Sequence, residues 1–157
     1  MKRSLFCLIF TAILLDVFMS QSADASSFAY ADNGIGLAVG EPAGITFFRK
    51  IDDQSFAQAF IGSNLLLGLD YAVAFPSTVK NLPNLTPYVG GGLFLFSSRY
   101  WDYARDHSGI GIRMPIGVLI QIPNAPLHFH LEVAPSTTIN PFMYSFVDAM
   151  IGARFLF

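Results

Sequence analysis

The stretch Ile-Gly-Ile-Arg-Met-Pro-Ile-Gly-Val-Leu-Ile, residues 110–120, decides the fold class of this chain. Every second residue in it, beginning with Ile110, is apolar, whereas the alternate set includes Arg113. Successive side chains of a strand point to opposite faces, so this period of two predicts a β-strand with one apolar face. The same alternation occurs over residues 65–75, 127–133 and 147–157.

Weaker candidate strands bring the predicted total to about eight. They are residues 34–40, 44–50 and 55–61, and a further strand is predicted over residues 87–96. Short turn signals lie at residues 41–44, 51–53, 62–64 and 123–126, and longer connections are expected at 76–86, 97–108 and 135–145. Because no helix-period segment separates the strands, the chain is predicted to be an antiparallel meander.

The composition is that of a chain with a large apolar surface. Hydrophobic residues make up 53% and charged residues 13%, with a mean hydropathy of +0.49, whereas an average soluble domain is about 25% charged. After residue 25, no stretch approaches the roughly 18 apolar residues of a membrane-spanning helix. Strands in a bilayer need apolar residues on one face only, and a closed sheet pairs every backbone group. We therefore predict an all-β fold, a closed antiparallel up-and-down transmembrane β-barrel.

The first residues predict export by a cleaved signal peptide. Two basic residues precede an apolar run over residues 5–15, and the small-residue site Ala23-Asp24-Ala25 follows. The apolar run is shorter than the roughly 20 residues that a membrane anchor needs. We therefore expect a signal helix in residues 1–25 and a single barrel domain in residues 26–157. The only cysteine, Cys7, would leave with the signal peptide.

The C-terminal residues resemble a known assembly signal. Phe157 is last, Phe155 lies two residues before it and Gly152 three before that, as in the β-signal that the outer-membrane assembly machinery recognises. Met150 stands where that signal usually has a polar residue. Together with residues 40–44, 111–117, 131–135 and 151–155, this end resembles small OmpA/OmpX-like outer-membrane barrels of Gram-negative bacteria. The resemblance implies the bacterial outer membrane and carries no assigned catalytic residues.

Such a barrel has predictable partners. We expect it to contact outer-membrane lipids, lipopolysaccharide and the barrel-assembly machinery, and to be a monomer. The net charge of −2 gives no reason to expect a nucleic-acid partner.

The charged strand residues fall on the set opposite to the apolar one. With two histidines they form the predicted lumenal polar network: Asp70, Arg113, His128, His130, Glu132, Asp148 and Arg154. Side chains just fill the interior of an eight-stranded barrel, and charges buried there are stable when paired. We interpret the set as a salt-bridged plug with a structural or small-solute role. The alternative is a narrow ion or proton path through the same residues.

His128, His130 and Glu132 lie two residues apart on one predicted strand and therefore share a face. The row offers the ligand types of a zinc site and the groups of an acid–base catalyst. A lipid A deacylase or acyltransferase of the hydrolase type also needs a serine near a histidine, and the nearest, Ser136, lies beyond Pro135. We expect polar filling of the lumen, with no metal, cofactor or catalytic residue. A lipid-modifying outer-membrane enzyme is the second hypothesis.

The predicted connection 97–108 combines aromatic with charged residues. Tyr100, Trp101 and Tyr103 suit the headgroup region of a membrane, where amphipathic rings are enriched. The same residue types are favoured anchors of protein interfaces. We interpret them as membrane-interface aromatics, and a loop-mediated adhesion or interaction protein is the third hypothesis.

Overall fold

A computed structural model describes residues 32–63, 66–75, 84–97 and 108–157 of the chain. The described residues form nine β-strands: β1 (Asn33–Glu41), β2 (Gly44–Lys50), β3 (Ser55–Gly62), β4 (Leu66–Ala74), β5 (Leu85–Phe96), β6 (Gly109–Arg113), β7 (Ile116–Gln121), β8 (Leu127–Asn140) and β9 (Tyr144–Leu156). The predicted signal peptide and the predicted interface aromatics Tyr100, Trp101 and Tyr103 lie outside the described residues. Among the described residues, no helix is long and apolar enough to cross a membrane.

The strands pair antiparallel in sequence order, and the sheet closes on itself. β1 pairs with β2 along one edge and with β9 along the other. β6 and β7 are two halves of one wall strand, because both pair with β5 on one side and with β8 on the other. The described strands therefore form a closed, up-and-down barrel with eight wall strands, which confirms the predicted fold.

The strand predicted over residues 110–120 is interrupted at Met114 and Pro115, between β6 and β7. Pro115 has no N–H to donate to β5, although its carbonyl accepts a hydrogen bond from Gly90 N at 2.8 Å. On the other side, Met114 N donates to the carbonyl of Pro135 at 2.9 Å, and Pro135 has no N–H to return. Two prolines on adjacent strands thus weaken the ladder at one level of the wall.

The predicted connection over residues 135–145 is wrong at both ends. β8 continues through Pro135 to Asn140 and β9 begins at Tyr144, so residues 141–143 alone connect them. The strand tolerates Pro135 because its carbonyl is still paired and its missing N–H falls at the break between β6 and β7. The result is a hairpin of two long strands, 14 and 13 residues in length.

The burial of the side chains follows the predicted inner and outer sets. Leu69 and Val147 of the outer set are 63% and 64% exposed, whereas Arg113 and Glu132 of the inner set are 3% and 1% exposed. Other large outer residues with exposed side chains include Ile35, Leu37, Val39, Ile45, Ile61, Leu93, Leu95, Ile112, Phe129, Leu131, Val133, Ile151 and Phe155. The apolar faces of the strands therefore point away from the barrel axis, and the residues of the predicted lumenal network point toward it.

Glycines on the inner face make room for bulky side chains of the preceding strand. The ring of Phe60 lies over its cross-strand partner Gly68, and the imidazole of His130 lies over Gly152 in the same way. A Cβ atom at either glycine would collide with that ring. In four further pairs a side chain likewise covers the glycine opposite it on the next strand: Asp70 over Gly92, Tyr88 over Gly117, Phe94 over Gly111 and Leu156 over Gly34. The narrow lumen is thereby filled by side chains.

Two apolar layers lie inside the barrel. The terminal layer, at the end where β1 begins and β9 ends, consists of Phe48, Phe56, Ala72, Ala74, Tyr88, Leu119 and Leu156. The hairpin layer, at the opposite end, consists of Phe60, Leu66, Phe94 and Phe96, with Phe146 packed against it. Ring centroids of Phe48 and Phe56 are 5.1 Å apart in the first layer, and those of Phe94 and Phe146 are 5.8 Å apart in the second. The Arg154 guanidinium lies 6.0 Å from the Phe48 ring centroid of the first layer, and the Arg113 guanidinium 4.5 Å from the Phe60 ring centroid of the second.

Candidate functional site

The predicted lumenal polar network lies inside the barrel. All seven of its residues are at most 5% exposed: Asp70, Arg113, His128, His130, Glu132, Asp148 and Arg154. They come from four strands, β4, β6, β8 and β9. The structure joins four of them in one hydrogen-bonded cluster, the ionic cluster, and leaves the two histidines and Asp148 outside its hydrogen bonds.

Arg113 is the cation of the ionic cluster that contacts carboxylates directly. Its Nη2 forms an ion pair with Glu132, and its Nη1 lies 3.5 Å from Asp70 Oδ2. The guanidinium also stacks over the Phe60 ring, 4.5 Å from the ring centroid. All three charged side chains are fully buried, so the attraction between them is weakly screened. Three of the residues predicted for the lumen therefore form ion pairs with one another.

Gln58 of β3 joins the triad to the second guanidinium. Its Nε2 donates to Asp70 Oδ2 at 3.0 Å and to Glu132 Oε2 at 2.6 Å. Its Oε1 accepts a hydrogen bond from Arg154 Nη2 at 2.9 Å. One amide therefore uses its donor end on the acids and its acceptor end on Arg154.

Two further side chains complete the ionic cluster. The Tyr88 hydroxyl donates to Glu132 Oε2 at 2.6 Å, and Arg154 Nε donates to Thr46 Oγ1 at 3.0 Å. With them, the cluster links strands β2, β3, β4, β5, β6, β8 and β9 through side chains. Two guanidinium groups then face two carboxylates, so the cluster is formally neutral. Its chemistry is that of an electrostatic cross-link across the lumen.

Sequence reasoning missed Gln58, Tyr88 and Thr46, which hold this cluster together. They carry no charge, whereas the lumenal residues were predicted from charged and histidine side chains on the strands. A usable signal was present for Gln58, because it lies on the inner set of a candidate strand that otherwise presents Phe56 and Phe60. An amide between two aromatic residues on an inner face needs partners.

Asp148 belongs to a separate pair near the hairpin end. Ser136 Oγ lies 2.9 Å from Asp148 Oδ2, to which it donates, and 3.1 Å from the carbonyl of Ala134. Ser136, the serine nearest to the predicted histidine row, thus has a carboxylate as its side-chain partner. In the described part of the chain, no group of three or more His, Cys, Asp and Glu residues is arranged to hold a metal ion.

The predicted row of His128, His130 and Glu132 shares the inner face, but its members have different surroundings. Glu132 lies in the ionic cluster. His128 packs edge-on against Phe48, with ring centroids 5.0 Å apart, and His130 covers Gly152. Neither His128 Nε2 nor either ring nitrogen of His130 has a hydrogen-bond partner among the described residues.

The residues of the predicted assembly signal lie at the end of β9. Phe155 and Phe157 are 51% and 64% exposed, and both belong to the outer set, whereas Gly152 belongs to the inner set beneath His130. The two rings therefore face the surroundings of the barrel. Their recognition by an assembly machinery stays a prediction.

The turn between β2 and β3 carries charges at the rim. Lys50 Nζ lies 2.8 Å from Asp53 Oδ1. The Asp52 carboxylate accepts hydrogen bonds from the Ser55 hydroxyl at 2.7 Å and from Gln54 N at 2.8 Å. These bonds, with that from Ser55 the larger cause, hold the pKa of the Asp52 carboxyl below its ordinary value.

Comparisons with known proteins bear on the fold alone. Neither a known protein family nor a curated protein sequence matches the chain. Among solved structures, it is similar to a barrel described as "De novo design of transmembrane beta-barrels", with a TM-score of 0.52 and 15% sequence identity. The match covers 82% of this chain and 98% of the designed one. The fold of the chain is therefore that of a transmembrane β-barrel.

Proposed function

We propose that the chain is an integral outer-membrane β-barrel whose lumen is plugged and whose role is structural. The closed sheet and its apolar outer surface support insertion into a bilayer, because hydrocarbon tolerates neither unpaired edges nor exposed charge. The outer-membrane location is supported by the resemblance of residues 150–157 to the β-signal and by the export signal read from residues 1–25.

The observation that carries the plug is the order of layers along the lumen. The ionic cluster contacts both layers, because the Arg154 guanidinium lies 6.0 Å from the Phe48 ring centroid and the Arg113 guanidinium 4.5 Å from that of Phe60. Each layer contains several buried aromatic rings. A hydrated ion would have to leave its water to pass either layer, and transfer of a bare charge into apolar surroundings is very costly. A structural role is therefore favoured over an ion or proton path through the same residues.

Planar-bilayer recording with the refolded full chain tests this proposal. We expect no stepwise conductance in preparations that display heat-modifiable gel migration, which reports a folded barrel. A matched variant, Phe94→Ala with Phe96→Ala, thins the hairpin layer and checks whether the assay detects a leak through this lumen. Discrete single-channel steps from the wild-type barrel would contradict the plug.

The remaining parts of the proposal are the partners and the absence of an enzymatic role. The barrel is proposed to be a monomer surrounded by lipid and lipopolysaccharide and inserted by the barrel-assembly machinery. Fractionation of cells should recover it with the outer membrane. Mass spectrometry of lipid A with and without the gene should give identical spectra, whereas a mass change would establish the lipid-modifying alternative.

A further inference from the structure

Arg154 is a buried cation without a contacting carboxylate. Its side chain is 1% exposed, and its Nε and Nη2 donate to the neutral oxygens of Thr46 and Gln58. Both ion pairs inside the described lumen belong to Arg113 instead. A guanidinium stays protonated in proteins, and Arg154 reaches the two carboxylates of the ionic cluster through the Gln58 amide rather than by direct contact.

The third nitrogen of the guanidinium is unpartnered. Within the described residues, Arg154 Nη1 forms no hydrogen bond. Two imidazoles with unpartnered nitrogens belong to the same region, because His128 is the direct cross-strand partner of Arg154 and His130 follows on the same face of β8. Three fully enclosed side chains therefore present unsatisfied hydrogen-bonding groups next to one another.

The chemistry of this group favours an anion. Arg154 brings a fixed positive charge and an N–H donor, and each neutral imidazole has one N–H to donate. A cation is disfavoured there because the guanidinium repels it. The carboxylates nearest in the lumen are engaged by Arg113, and Gln58 presents its carbonyl oxygen to Arg154.

We propose that the lumen binds one small inorganic anion of the halide class at Arg154 Nη1, with His128 and His130 as flanking donors. This site adds a ligand to the proposed plug and does not require the lumen to conduct. The two apolar layers imply that the anion enters while the barrel folds and is then retained. A halide suits the enclosed position because it is compact and accepts hydrogen bonds from any direction.

Anomalous diffraction tests the site directly. The full chain is refolded in detergent with sodium bromide as the only halide, washed into bromide-free buffer, and crystallised. We expect a bromine anomalous peak within hydrogen-bond distance of Arg154 Nη1. No peak there, or peaks confined to the outer surface and the rims, would overturn the proposal, and a water in that position would do the same. Conductance of the barrel is a separate readout, so failure of the plug and failure of the anion site are distinguishable.

Thermal unfolding provides a second measurement that needs no crystal. We expect a higher unfolding midpoint for protein refolded in chloride than for protein refolded in gluconate at equal ionic strength, since a ligand that binds only the folded state stabilises it. His130→Leu removes a donor but keeps the hydrogen bonds of Arg154, and it should reduce the difference between the two salts. Ser136→Ala, a lumenal control near the hairpin end, should keep it. Equal midpoints for the wild type, or an undiminished difference in His130→Leu, would count against the site.

Discussion

Replacing Arg113 by Met removes the cation on which two buried carboxylates depend. Glu132 and Asp70 would remain in the lumen without their counter-ion, and both side chains are fully buried in the native barrel. Breaking a buried ion pair by deleting one partner costs about 3–5 kcal/mol, because the remaining charge is uncompensated. Met has a comparable length and keeps a hydrophobic contact with Phe60, so the loss should come from charge rather than from a cavity.

The change corresponds to a large shift in the folding equilibrium. At 1.4 kcal/mol for each factor of ten, the ratio of folded to unfolded barrel should fall roughly a hundred- to several-thousand-fold. Urea titration of the full chain in detergent, with heat-modifiable gel migration as the readout of folded barrel, measures this ratio. We expect a clearly lower urea midpoint for Arg113→Met than for the wild type.

Two controls separate electrostatics from packing. Lys50→Met removes a rim cation whose partner Asp53 is 78% exposed, and it should cost at most about 1 kcal/mol. The triple variant Arg113→Met, Glu132→Gln, Asp70→Asn removes the cation and both acids together and should recover much of the lost stability. If Arg113→Met unfolds within about 0.5 kcal/mol of the wild type, the scale of an ordinary surface substitution, the ionic cluster does not hold the lumen together. If the triple variant is no better than the single one, the loss is due to packing.

Three further predictions concern the lumen, the outer surface and the rim. Gly68→Leu should prevent folding or lower the unfolding midpoint strongly, because the Phe60 ring already occupies that volume. Gly91→Leu on the outer face, where a Cβ meets no atom within 4 Å, should fold normally. Heat-modifiable gel migration distinguishes the two variants. Leu69→Arg, on the outer face within a strand, should cost about 2–4 kcal/mol in vesicle-folded protein, and the same substitution at the rim residue Ile51 should cost much less; equal losses would contradict the lipid-facing assignment. Asp52→Ala should be destabilising at neutral pH. Since the native pKa of Asp52 lies below its ordinary value of 3.8, the difference in stability from wild type should be full above pH 3.8 and vanish as the pH falls through the lower native pKa. A difference in urea midpoint that persists at the acid end would contradict this dependence on the Asp52 carboxylate.

The sequence predicted which face each strand residue takes, because that property depends only on a period of two. Arg113 and Glu132 were assigned to the lumen from alternation alone, and they are 3% and 1% exposed in the structure. Closure into a barrel was predictable for a similar reason, since an apolar outer surface with no helix-forming segment leaves few other solutions.

The contacts within the lumen were not predictable in the same way. The direct cross-strand neighbour of Arg113 on β8 is Ser136, yet its guanidinium pairs with Glu132, four residues along the same strand. A long side chain can contact a diagonal neighbour across a narrow lumen. Which neighbour it contacts depends on the register between strands, which the pattern of a single strand does not predict. The neutral links Gln58 and Tyr88 were missed for a different reason, because they carry no charge.

Pro135 shows a second limit of predicting strands from local sequence. A proline with a polar stretch after it predicted a connection, because proline cannot donate to the ladder. The structure accommodates it within β8 because the opposing strand also lacks regular pairing there, at Met114 and Pro115. Two prolines that each disfavour a strand are compatible with a sheet when they lie at the same level of adjacent strands. This is a relation between distant positions, which a rule based on neighbouring residues cannot detect.

The ionic cluster contributes more to fixing the register of the strands than to the net free energy of folding. Well-packed apolar side chains often stabilise a core as well as a buried ion pair does, and the two apolar layers already fill the ends of this lumen. A slip of β8 by one residue, however, would turn His128, His130 and Glu132 toward the bilayer and Leu127, Phe129 and Leu131 toward the axis. Charged side chains facing hydrocarbon are costly, so the slipped barrel is strongly disfavoured. The polar inner residues of β8, which include Glu132 of the ionic cluster, thus oppose misregistered closure of the barrel.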